Sequence, residues 1–113
     1  MTELVISFEV DGLHFWPGAP DKYKEFGQLH RHLFKVICFL PMADSDDPNR
    51  RQVELWELRQ DTIRAVDMGF PNQRGITNFG PMSCEGISDT IRKMMGFSKV
   101  FVGEEWFQGV ICY

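Results

Sequence analysis

The sequence predicts an α+β domain, and two patterns carry that reading. Apolar residues alternate in steps of two near both ends of the chain, and recur at helical spacing across its middle. The length bounds it further: 113 residues make one ordinary domain, spanning 1–113, with no repeat, linker or low-complexity tract to divide it.

The first strand covers 4–10, with Leu4, Ile6, Phe8 and Val10 on one face and Val5, Ser7 and Glu9 on the other. An irregular stretch follows, because the Pro-Gly-Ala-Pro run at 17–20 forbids regular structure. A second strand fits 29–41. It is apolar on both faces, which implies a strand covered on both sides. Residues 43–51, ADSDDPNRR, form a charged, solvated turn. A helix over 53–67 follows from the stripe Leu55, Leu58, Thr62, Ala65 and Val66. The segment 68–81 has turn chemistry, rich in Gly, Pro and Asn. A second helix starts at the N-cap Ser83, carries Ile87, Ile91, Met94 and Met95 on one side, and stops at Gly96. Strands over 99–104 and 106–113 close the order β-β-α-α-β-β.

Composition narrows the function. Twelve Lys and Arg against 16 Asp and Glu leave a net charge of −4, which argues against a nucleic-acid surface. No apolar run is long enough to span a membrane. Fifteen aromatics (10 Phe, 3 Trp, 2 Tyr) exceed the needs of a small core and point to an oligomer interface or a ligand pocket. Cys38, Cys84 and Cys112 are odd in number and lack CxxC spacing, so no disulfide framework is expected. The opening MTELVISFEV reads as a strand, not a signal peptide, which makes the cytoplasm the expected compartment.

The three histidines concentrate the chemistry. His30 and His32 sit two apart on a strand, so both imidazoles project from one face about 7 Å apart. His14, in the preceding loop, can close a third position on the same ion. Three imidazoles with an open fourth place is the usual catalytic zinc arrangement. The competing reading is a pair of strand histidines packed against aromatics or donating to carbonyls.

The segments FEV, LHF and FGQLHRHLFKV together resemble the 6-pyruvoyltetrahydropterin synthase and 6-carboxytetrahydropterin synthase family. The resemblance spans nearly the whole chain in the same order. His14, His30 and His32 match the family's zinc ligands, with Arg31 in place of the glycine between the pair. VELWELRQDTIRAV resembles its first helix. PMSCEGISDTI resembles the Pro-Thr-x-Glu start of the second, with Ser83 and Glu85 in the Thr and Glu places and one extra residue after Pro81. KVFVGEEWFQGVICY resembles its final hairpin, where Glu104 takes the place of the carboxylate that anchors the pterin ring. The resemblance implies the T-fold: an antiparallel four-stranded sheet with two helices on one face, oligomerising into a barrel. It also implies Zn2+ and a tetramer or hexamer with the ligand site between subunits.

Glu104 suits the anchor role, since a carboxylate accepts two parallel hydrogen bonds from a 2-amino-4-oxo ring. Glu105, next along the strand, is expected to face the other way. Ser83 and Glu85 are further substrate-binding candidates, although Glu85 also fits as a charge favoured at its helix N-terminus.

The departures fall on the proton-transfer groups. The family's catalytic cysteine, four residues before the first histidine of its pair, is Phe26 here. Its Asp-His pair has no counterpart either: Asp67 is present, but no histidine lies between 67 and 82. Phe26 cannot relay a proton. Two replacements are conceivable. Cys84 lies at a helix N-terminus, where thiolates are stabilised; Asp11 could act as a base or orient His14. Phe15 and Trp16 either wall the pocket or fill an interface. Two functions follow: a zinc-dependent lyase of the carbon–oxygen type acting on a pterin or guanine-like substrate, or a non-catalytic carrier, sensor or sequestering protein for a purine- or pterin-type ligand.

Overall fold

The computed structural model describes residues 1–105 and 108–113. The predicted strand start at Trp106 and Phe107 lies outside the described residues. The rest is an α+β domain built on a six-stranded mixed sheet in the order β3-β4-β1-β2-β5-β6.

The two long strands dominate. β1 (Thr2–His14) and β2 (His30–Met42) pair antiparallel over their whole length, from Thr2↔Met42 to His14↔His30. The first strand therefore runs well beyond its predicted end at residue 10. The alternation through Asp11–His14 is weak in apolar character, but cross-strand pairing with β2 holds the backbone extended to the last rung. Between the two strands, Asp21–Gly27 form a short 3-10 segment kinked at Tyr23. α1 (Leu55–Gly69) starts and ends two residues later than the predicted 53–67, with Glu54 capping it by accepting the Glu57 N–H at 2.8 Å.

The predicted four-stranded antiparallel sheet is corrected here. The stretch read as turn chemistry contains two short strands, β3 (Asn72–Gln73) and β4 (Ile76–Asn78). Arg74 (φ 56°) and Gly75 (φ 81°) join them in a two-residue hairpin that needs both residues in the left-handed region. β4 then pairs parallel with the free edge of β1, Gly12↔Thr77 and Leu13↔Asn78. Strands this short carry no readable alternation. The extra pairing nevertheless extends the sheet and sets Phe79 against the end of β1, its N–H donating to the Leu13 carbonyl at 2.8 Å.

α2 (Cys84–Met95) behaves as its capping residues dictate. The Ser83 hydroxyl accepts the Gly86 N–H at 3.2 Å, and Gly96 closes the helix at φ 72°. β5 (Lys99–Glu104) pairs with β2 and β6 (Gln108–Cys112) with β5, both antiparallel.

The core lies on one face of the sheet. Ile6, Phe8 and Val10 of β1, Phe34, Val36 and Cys38 of β2, and Val100 and Val102 of β5 meet Val66 of α1 and Ile87 and Ile91 of α2. The opposite face is open. Val5, Leu33 and Ile111 are exposed there, and Ile37, Phe39 and Phe101 are half-buried. The double cover expected for the second strand is thus supplied on one side by the helices, while among the described residues no element covers the other. Among the described residues no helix is long and apolar enough to cross a membrane.

Candidate metal centre

Strand alternation places the three histidines. His14 and Gly12 of β1 continue the core-facing side of Val10, and His32 and His30 continue the side of Phe34. On the last rungs His14 faces His30 and Gly12 faces His32. A side chain on Gly12 would not fit, because its Cβ would stand 2.8 Å from the Phe79 ring and 3.0 Å from Phe34. The three imidazoles cluster as a result. Their ring centroids are 4.6–5.3 Å apart, and one ligating atom from each lies within 4.8 Å of the others.

The outer nitrogen of each ring is already committed. His14 Nδ1 lies 2.9 Å from the Met82 carbonyl and His30 Nδ1 2.8 Å from the Gln28 carbonyl. A carbonyl only accepts, so both Nδ1 atoms carry the proton and donate. His32 Nδ1 stands 3.3 Å from Glu105 Oε1. With Nδ1 spent this way, Nε2 is the nitrogen each ring has left for a ligand, the arrangement a metal ligand requires. His14 is the decisive case. Its side chain is only 8% exposed, and burial, the largest influence, lowers its pKa and favours the neutral ring. Its buried Nε2 has no hydrogen-bond partner, although Glu104 Oε1 stands 3.2 Å away.

Glu104 occupies the next rung, paired in register with Phe34. Its second oxygen is 3.6 Å from His32 Nε2. A buried lone pair facing a carboxylate is costly unless a cation lies between them. This unpartnered nitrogen and the imidazole donor set fit a divalent transition metal. Imidazole ligands suit zinc, copper, iron and nickel alike, so the donors narrow the class without selecting one ion.

No protein-family model matches the chain, and no curated protein matches it at a significant level.

The other expected residues separate clearly. Ser83, Glu85 and Glu104 line one cavity of about 460 Å³ with the histidines, Phe15, Trp16, Phe26 and Cys84. Phe15 and Trp16 therefore wall the pocket. Ser83 spends its hydroxyl on the helix cap, whereas Glu85 is exposed on the rim. Cys84 is corrected as an activated thiol. Burial first, and then the Glu104 carboxylate 3.8 Å from its Sγ, push it up to about 12, overriding the helix N-terminus. Asp11 is corrected as well. Its side chain projects from the opposite face of β1 to His14, and Arg31 holds both of its oxygens in a bidentate pair.

Three features escaped the sequence reading. Glu105 was expected to point away, yet it sits in the hairpin turn at φ 59°, which breaks the alternation and brings its carboxylate to His32 Nδ1 and the Leu33 N–H. The Met82 and Gln28 carbonyls that orient two of the rings belong to loops, where spacing rules say nothing. The third is a stack of aromatics leading to the site. Trp16, Tyr23 and Phe26 lie nearly parallel with centroids 5.8 and 6.0 Å apart, and Phe26 stands 5.7 Å from His30. Phe26 is thus a wall at the edge of the cluster.

Proposed function

We propose that the chain is a metal-dependent enzyme, with zinc the expected ion, acting on a planar pterin- or guanine-like compound in a divergent T-fold. The reaction would be of the carbon–oxygen lyase type, as the resemblance to the tetrahydropterin synthases implies. The observation that carries the proposal is the convergence of three imidazoles whose Nδ1 atoms are all committed, leaving three Nε2 atoms for one ion. A bound zinc would supply Lewis-acid polarisation of a ligand carbonyl or hydroxyl.

The chain's own residues do the rest. Met82, Gln28 and Glu105 hold the imidazoles in the ligating tautomer. Trp16 and Phe26 present flat apolar surface to a ring and exclude water from that side of the cavity. Glu85, on the rim, offers a carboxylate to donors at the ring edge. A second copy of the chain covering the open face with Val5, Leu33, Phe101 and Ile111 would bury its unpartnered apolar surface, in keeping with a homo-oligomer.

The second reading, a non-catalytic binder, is favoured by Phe26, which puts a hydrocarbon ring where the synthases keep a cysteine, and by a Cys84 thiol that stays protonated. Native mass spectrometry of the purified chain separates the two readings. One metal per chain, lost in His30→Ala together with conversion of dihydroneopterin triphosphate or a relative, supports the enzyme. A metal-free assembly carrying a purine- or pterin-like mass supports the binder.

A further inference from the structure

We propose that Glu104 is the fourth protein ligand of the metal, closing the centre at rest and withdrawing only when another ligand enters the cavity. The inference deepens the metal reading above and rests on it. Glu104 Oε1 is 3.2 Å from His14 Nε2, and Oε2 is 3.6 Å from His32 Nε2. Around a tetrahedral ion with donors about 2.0–2.1 Å away, adjacent donors stand about 3.3–3.4 Å apart. The carboxylate thus sits near the spacing of a donor sharing a coordination shell with His14 and His32. The cluster whose atoms all lie within 4.8 Å is the three histidines alone, so Glu104 has to swing toward His30 to complete the shell.

His14 Nδ1 is spent on the Met82 carbonyl, which leaves Nε2 as the nitrogen facing the Glu104 carboxylate. His14 Nε2 is also buried and unpartnered. A cation shared by nitrogen and oxygen satisfies both atoms at once.

The same geometry argues against a waiting ring anchor. To receive two parallel donors from a 2-amino-4-oxo ring, Glu104 would have to turn both oxygens toward the open cavity. In the structure both face histidine nitrogens. Its side chain remains 28% exposed, on a lining residue of the 460 Å³ cavity, so an incoming ligand can reach it and take its place.

Cobalt replaces zinc in such sites and reports coordination by its visible absorption. Metal-stripped full-length protein is titrated with Co2+, and zinc affinity is read by competition with a chromophoric chelator. The wild type is expected to take one Co2+ with intense four-coordinate bands, and to need far more azide to shift them than Glu104→Ala does. Glu104→Gln should bind zinc at least about tenfold more weakly, and Glu104→Ala should show a cobalt spectrum that azide or acetate shifts. Equal affinities and spectra in wild type and both variants overturn the role of Glu104 while leaving the three-histidine site standing. A wild-type spectrum as sensitive to azide as that of Glu104→Ala does the same. A wild type that takes up no Co2+ overturns the metal reading itself, and the inference with it.

Discussion

The β1–β2 ladder builds two different things on one face. In its middle, Ile6, Phe8 and Val10 stand against Cys38, Val36 and Phe34, all buried. At its last rungs the same face carries Gly12 and His14 against His32 and His30. The depth barely changes between the two: His14 is 6% exposed, and Val10 8%. What changes is the cover. α1 and α2 close the middle with Val66, Ile87 and Ile91, while the end is roofed by a loop whose Met82 carbonyl reaches His14. Alternation chooses the face of a strand; whether a position on that face becomes core or site depends on what arrives above it. The opposite end of the ladder makes the same point. A cavity of about 280 Å³ there is lined by Thr2, Leu4, Met42 and Arg50, with no converging ligand atoms.

Phe34 joins the two regions and should give the largest effect. It is fully buried, and its ring meets His14 at 5.1 Å, His32 at 5.6 Å and Phe79 at 5.2 Å, edge to face. Phe34→Ala is expected to cost about 3–5 kcal/mol in urea denaturation and to loosen the floor of the histidine cluster. Phe34→Leu should recover much of the stability. A loss below about 1 kcal/mol for the alanine variant would break the idea that core and site share one packed layer.

Gly12 sharpens the same comparison from the site side. Its missing Cβ leaves room for the Phe79 and Phe34 rings, which are both buried and meet each other edge to face. Gly12→Ala should therefore destabilise the fold by about 1–3 kcal/mol through overpacking. Because Gly12 lies opposite His32 in register, the displaced Phe34 should also disturb that imidazole. Chemical shifts of the histidine ring protons, read beside the denaturation midpoint, check this. Unmoved His32 resonances would show that the two ends of the ladder relax independently.

Much of this was legible in the residues, and the failures have physical reasons. His30 and His32 could be grouped because strand geometry fixes where residues two apart must point, whereas His14, read as a loop residue, is held beside them by a strand that runs on to the last rung. Glu105 could not, because a left-handed turn residue obeys no alternation and its contact with His32 exists only once the hairpin closes. Cys84 shows a competition that position alone does not settle. Its place in the first turn of α2 favours a thiolate, but burial and the neighbouring Glu104 oppose it and prevail. Strands β3 and β4 were hidden by brevity, since two and three residues form a sheet only through the edge of β1 that they meet.

The smallest expected effect belongs to the open face. Asp11 and Arg31 pair there across β1 and β2, and the Arg31 guanidinium holds the Asp11 carboxyl below its ordinary value. A carboxyl whose folded value is depressed stabilises the fold fully above its unfolded value, about 3.9, and that contribution fades as pH falls through the folded value. Both side chains are well exposed, at 35% and 58%, so solvent screens the pair. Asp11→Asn should accordingly shift the denaturation midpoint only slightly at neutral pH, and not at all once the pH is well below the folded value. In about 1 M salt the difference should vanish, because exposed charges are screened within roughly 3 Å. A large, salt-resistant loss would mean that something covers this face in solution and dries the pair, the outcome expected if a second copy of the chain docks on the exposed Val5, Leu33 and Ile111.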